Sequence, residues 1–216
     1  MLAPETPREY AALPWSHALE GLPLVVPTAP AWVPHALEHL DALLMDHAHC
    51  EQKAASVALA LIGRFPDHPG LARDMLALAH EEMRHFRQVL DRIEARGKHL
   101  EKPLPDPYVN ELRAWAFGEP GGLGALGDLL LVCAFVEARS CERFRVLAEA
   151  LLARNAADDL GMFYLRLADA EARHWERFRD LALESADPAQ VEARLTVMAV
   201  AEGRIIAARP VEARMH

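Results

Sequence analysis

The sequence has only three cysteines, Cys50, Cys133 and Cys141, and no Cys-x-x-Cys pair among its 216 residues. That spacing excludes a zinc ribbon and a cysteine-bound iron–sulfur cluster, and an odd number of thiols on helix-forming segments argues against a disulfide framework. A reducing compartment is expected. No signal peptide or membrane-length apolar run is evident, so the expected location is the cytoplasm. A glycine-rich nucleotide fingerprint is also missing. Positive charge is in deficit: 23 Lys and Arg stand against 32 Asp and Glu, a formal net charge of −9. A basic coat for nucleic acid is thereby excluded, and only a local patch is possible.

What the chain does have is apolar material in helical rhythm. Hydrophobic residues make up 52% of it, ample for the core of one domain. Prolines 4, 7, 14, 23, 27, 30 and 34 mark residues 1–33 as a proline-rich N-terminal arm, extended and wrapped on the rest. Residues 34–208 read as an all-α domain, followed by a tail at 209–216. Leu37, Leu40, Leu44, Ala48, Ala55, Ala58 and Ile62 predict a first helix from about Pro34 to Phe65. After the turn Pro66-Asp67-His68-Pro69-Gly70, a second runs from Leu71 to near Gly97. Proline and glycine between Lys98 and Gly122 indicate a long crossover connection, with a short helix over Val109–Trp115. A third helix is expected over Leu123–Leu152 and a fourth over Ala156–Ser185. Asp187-Pro188 then starts an extra C-terminal helix to about Ala208, packed outside the bundle.

Two tetrads stand out on these helices, Glu82-Met-Arg-His85 and Glu171-Ala-Arg-His174. Residues three apart share a helical face, so each tetrad presents a carboxylate and an imidazole to one point. One such tetrad is expected by chance in a chain of this length, on the order of one occurrence. Register sets these apart. Each lies in an apolar stripe, and each follows an inward glutamate at hairpin distance: Glu51 is 82 − 51 = 31 positions before Glu82, and Glu137 is 171 − 137 = 34 before Glu171. At about 1.5 Å rise per residue, such a span runs out of one helix and back to the same level on the next. The pattern Glu…Glu-x-x-His used twice is that of a di-metal site in a ferritin-like four-helix bundle.

Four buried carboxylates and two imidazoles would be prohibitive without counter-ions. Two cations remove the difficulty. Carboxylate oxygens mixed with imidazole suit iron or manganese better than zinc, and two iron ions are expected. Glu82 and Glu171 would bridge them, His85 and His174 would cap one each, and Glu51 and Glu137 would be terminal ligands, leaving positions open for O2. The alternative is that these residues are surface charges on long helices.

Three further positions carry alternatives. His47, one turn before Glu51, is either a satisfied core or rim histidine or faces the site. Glu81 either orients a ligand imidazole or is a solvated, salt-bridged residue. Tyr164, two turns before Glu171, either lines a cavity or belongs to the core. Cys50 and Cys141 fall near the ligand level but read as small buried hydrophobes.

The runs Asp46-His-Ala-His-Cys-Glu-Gln-Lys-Ala-Ala-Ser56, His80-Glu-Glu-Met-Arg-His-Phe86, Val136-Glu-Ala-Arg-Ser-Cys-Glu-Arg-Phe144 and Glu171-Ala-Arg-His-Trp175 together resemble the MiaE-type tRNA hydroxylases. The resemblance covers all four ligand helices, and the run Glu137–Phe144 is its most specific part. It implies a non-haem di-iron monooxygenase that hydroxylates the isopentenyl chain of 2-methylthio-isopentenyl adenosine in tRNA. It also implies O2 as co-substrate and an external reductase, since the chain shows no redox group of its own.

An acidic protein acting on tRNA needs a local basic surface. Two clusters qualify by sequence, Arg92, Arg96, Lys98, His99 and Lys102, and Arg139, Arg143 and Arg145; either could equally be a solvated, salt-bridged face. The rivals to the hydroxylase are a ferritin- or rubrerythrin-like protein that handles iron or reduces peroxide on the same ligands, and a helical interaction module with no metal.

Overall fold

A computed structural model describes residues 16–154 and 159–216, so the first half of the expected N-terminal arm lies outside the described residues. Among the described residues there are seven α-helices and no strand. They are α1 (Trp32–Glu38), α2 (Leu40–Arg64), α3 (Leu71–Ala95), α4 (Pro107–Gly118), α5 (Gly124–Ala153), α6 (Leu160–Ser185) and α7 (Pro188–Ala208), preceded by a 3-10 turn at Ser16–Leu19. No helix among them is long and apolar enough to cross a membrane.

The chain divides into two compact units, one holding residues 35–105 and 212–215, the other the described residues up to 34, 106–211 and 216. In the first, α2 and α3 pack along their lengths as a hairpin. Leu43, Leu44, Ala48, Ala55, Ala58 and Leu61 of α2 and Leu71, Met75, Leu78, Val89 and Ile93 of α3 are its buried apolar residues. This is the spacing of a stripe on one helical face. Gly70, with φ of +81°, supplies the left-handed turn from which α3 starts. At the far end Gly97 N–H donates to the Glu94 carbonyl and Lys98 N–H to the Ile93 carbonyl, a Schellman cap that stops the helix where the sequence predicted. The first predicted helix is divided at His39, whose ψ of 41° leaves the helical range. Its backbone bonds carry through, from His39 N–H to His35 and from Leu43 N–H to His39, so the division is a bend rather than a break.

The second unit is built on α5. This helix is buried on nearly every side from Gly127 to Ala148, the charged Asp128, Glu137, Arg139, Glu142 and Arg143 included. It forms a hairpin with α6 and is flanked by α4 and α7. Asp106-Pro107 and Asp187-Pro188 start those two flanking helices alike. Each aspartate accepts a hydrogen bond from the backbone N–H three residues on, and each proline occupies the first turn, where no N–H is needed. The segment Leu22–Thr28 runs against α7 at Gly203, where a Cβ would come within 2.6 Å of Val26 Cγ2. Only glycine admits that approach.

Candidate metal centre

Each helical hairpin brings together two glutamates and one histidine. In the α2–α3 unit, donor atoms of Glu51, Glu82 and His85 lie within 4.8 Å of one another; in the α5–α6 unit, those of Glu137, Glu171 and His174 do the same. All six side chains are buried. The three-residue spacing of each tetrad sets the inner geometry. His85 Nδ1 is 3.4 Å from Glu82 Oε2, and His174 Nδ1 is 3.3 Å from Glu171 Oε2. His85 Nδ1 is also 3.4 Å from Glu51 Oε2, across the hairpin.

These separations test whether the residues suit a metal. A charge-assisted N–H···O bond closes to about 2.7–2.9 Å, and these pairs stand wider. Two ligands at about 2.0–2.2 Å from one ion and at right angles to each other would lie about 3 Å apart. The spacing therefore fits shared coordination better than direct hydrogen bonding. Glu171 Oε2, moreover, is buried and accepts no hydrogen bond, and a buried carboxylate oxygen left so is costly unless something positive meets it. The donor set of each unit, two carboxylates and one imidazole, suits iron.

His47 is the further residue that the geometry attaches to this group. It is fully buried, and its Nε2–H donates to Glu51 Oε1 at 2.7 Å, one helical turn away. It is a satisfied core histidine whose partner is a ligand candidate. Such a bond fixes the carboxylate's orientation and leaves Oε2 for other work. Glu81 lies partly exposed, 3.6 Å from the Arg84 guanidinium on the same helix, which is its salt-bridged alternative. Tyr164 is fully buried, its ring 5.3 Å from those of both Phe144 and Phe163, as a core aromatic would be. Cys141 donates its S–H to the Ala168 carbonyl at 3.1 Å, and burial pushes its thiol up to about 12.

One sequence expectation is corrected. Arg139, Arg143 and Arg145 do not form a basic surface. Arg139 is wholly buried: Nε and Nη2 donate to Glu202 at 2.9 Å each, Nη1 to Glu142 at 3.1 Å and Nη2 also to the Val26 carbonyl at 2.9 Å. Burial works against that charge, but Glu202 and Glu142 outweigh it and hold the guanidinium pKa above its ordinary value. Glu202, also bonded by the Tyr108 hydroxyl, is raised by burial although Arg139 opposes the rise. Arg143 lies over the Trp32 ring at 4.8 Å, and burial together with Arg139 lowers it to about 10. Arg145 donates to the carbonyls of Ala18 and Glu20. Of Arg139's carboxylate partners only Glu142 is near in sequence, Glu202 being 63 positions away. In the other cluster Lys98, His99 and Lys102 are exposed, with Arg96 and Lys98 paired to Asp41.

A family model described as tRNA-(MS[2]IO[6]A)-hydroxylase (MiaE) matches residues 21–216. The chain is 39% identical over 191 residues to a Pseudomonas putida protein named tRNA 2-(methylsulfanyl)-N(6)-isopentenyladenosine(37) hydroxylase, covering 88% of this chain and 89% of that one. It is 30% identical to a Salmonella typhimurium protein of the same name, with 88% and 86% covered. Among solved structures it resembles a Synechococcus protein described as having aldehyde deformylating oxygenase activity, with a TM-score of 0.79, 36% identity, and 89% and 94% of the two chains covered. The fold class is all-α and ferritin-like.

Proposed function

Because the chain belongs to the tRNA-(MS[2]IO[6]A)-hydroxylase (MiaE) family, we propose that it hydroxylates the isopentenyl chain of 2-methylthio-isopentenyl adenosine in tRNA, using two iron ions held by Glu51, Glu82, His85, Glu137, Glu171 and His174. The observation that carries the proposal is the duplicated half-site, two buried carboxylates and an imidazole on each of two hairpins. Bound iron would supply the activation of dioxygen, which no side chain performs. Glu51, Glu82 and His85 on one hairpin and Glu137, Glu171 and His174 on the other would hold the ions. The balance is one C–H bond and O2 in, one C–OH and one water out, with two electrons and two protons added. The two electrons would come from an external reductase, which the family resemblance implies.

The chain's own residues have three tasks. The glutamates would supply the negative charge that balances the ions. His47 holds Glu51 Oε1 in place through its Nε2–H. Buried apolar neighbours such as Leu44, Ala48 and Leu78 on one hairpin and Ala134, Phe144, Leu167 and Phe178 on the other keep water from the donor atoms.

The test is incubation of iron-loaded protein with prenylated, methylthiolated tRNA, reductant and oxygen, followed by mass spectrometry of the nucleosides. A gain of one oxygen on the prenyl adenosine is expected. A loaded site with no such product would remove the substrate assignment and favour the iron-handling or peroxide-reducing alternative. The Synechococcus likeness supports a second reading, an aldehyde deformylating oxygenase activity. A parallel incubation with an aldehyde, followed for loss of its formyl carbon, distinguishes the two.

A further inference from the structure

The bend between α1 and α2 carries a second group of metal-binding side chains. One donor atom from each of His35, Glu38 and His39 lies within 4.8 Å of the others. The backbone bond from His39 N–H to the His35 carbonyl, at 3.1 Å, keeps the two histidines one helical turn apart. Their ring centroids are 4.5 Å apart, tilted by 53°. Glu38 and His39 are exposed and His35 is half-buried, so solvent reaches the group.

We propose that His35, Glu38 and His39 form a surface site for a divalent transition-metal ion, Zn2+ or Cu2+, separate from the iron ligands. Two imidazoles at i and i+4 are the arrangement by which helix-borne zinc sites place two nitrogens on one ion, here in a His-x-x-Glu-His run. Two nitrogens and one carboxylate are the wrong set for Ca2+ or Mg2+, which take oxygen ligands. They suit the borderline ions, with copper held more tightly than zinc. Three protein ligands leave at least one position to water.

The placement has a mechanical consequence. His39 is the N-cap of α2, whereas His35 and Glu38 belong to α1, so an ion there fastens the bend at the start of the helix that bears His47 and Glu51. The positive end of the α2 dipole opposes a cation. Glu38 in the site offsets it, whereas Asp41 in the first turn of α2 is already paired with Arg96 and Lys98.

The test uses untagged, iron-loaded protein titrated with ZnCl2 against a chromophoric chelator, and with CuCl2 followed by electron paramagnetic resonance. One Zn2+ beyond the iron complement is expected, and a Cu2+ signal split by two nitrogens. His35→Ala and His39→Ala should each weaken Zn2+ binding at least about tenfold, with iron content and helix signal unchanged; His39→Gln serves as a second exposed variant. No zinc beyond the iron complement, or an unchanged affinity in the His35→Ala, His39→Ala double variant, overturns the site. Neither readout depends on tRNA or turnover, so its failure is separable from failure of the hydroxylase proposal.

Discussion

At the residue scale the proposal rests on single side chains, and each can be removed. Glu137→Ala or Glu171→Ala is expected to abolish stable loading of two irons while leaving the circular dichroism of a helical protein; full loading in either variant would contradict the ligand assignment. His47→Ala leaves all six proposed ligands in place but releases Glu51, whose Oε1 it holds at 2.7 Å. Iron affinity should fall about 10- to 100-fold, measured by competition with a chelator. The thiols give a test independent of metal. Cys133 and Cys141 are pushed up from an ordinary 9.0 to about 12, chiefly by burial. Their folded pKa lies above the unfolded one, so the stability they contribute is complete below pH 9 and is lost as pH rises toward 12. Unfolding midpoints should decline over that window, less steeply in the Cys133→Ala, Cys141→Ala variant. In the native protein near neutral pH, alkylation should reach the half-buried Cys50 first.

At the scale of elements, the helices that carry the glutamates and histidines were legible because their apolar stripes and their stops are local. Gly97 ends α3, and the two Asp-Pro pairs start α4 and α7, by rules that need only neighbouring residues. The bend at His39 and the bond from His47 to Glu51 could not be read that way. The first depends on one backbone angle, and the second on where a histidine side chain points inside a packed hairpin. The arginines of α5 were misread because their partners are distant in sequence: Arg139 finds Glu202 from α7, 63 positions away. Removing Glu202 leaves the buried guanidinium with Glu142 as its remaining carboxylate partner. Glu202→Gln is therefore expected to cost about 1.5–3 kcal/mol of stability, seen as a lower denaturation midpoint. Replacing Arg139 and Glu202 together by Met and Leu should cost less than either single change.

At the scale of the whole molecule, an acidic protein that acts on tRNA must confine its positive charge. With the arginines of α5 buried, the exposed segment after α3, with Lys98, His99 and Lys102, is the cluster left at the surface from the two that the sequence offered. Lys98→Ala with Lys102→Ala should weaken tRNA binding across sequences and flatten the slope of log affinity against log salt by roughly two, measured by filter binding at several salt concentrations. Unchanged slopes would place the RNA contact elsewhere. The Arg139 pair also sets a timetable. On a chain emerging from the ribosome the guanidinium and its neighbour Glu142 appear long before Glu202 does, and until then Arg139 has only one of its two carboxylate partners. The buried charge of α5 that α7 neutralises is therefore incompletely met until synthesis is nearly complete, so a nascent chain stalled short of residue 202 should be cut by protease within α5 more readily than a full-length one.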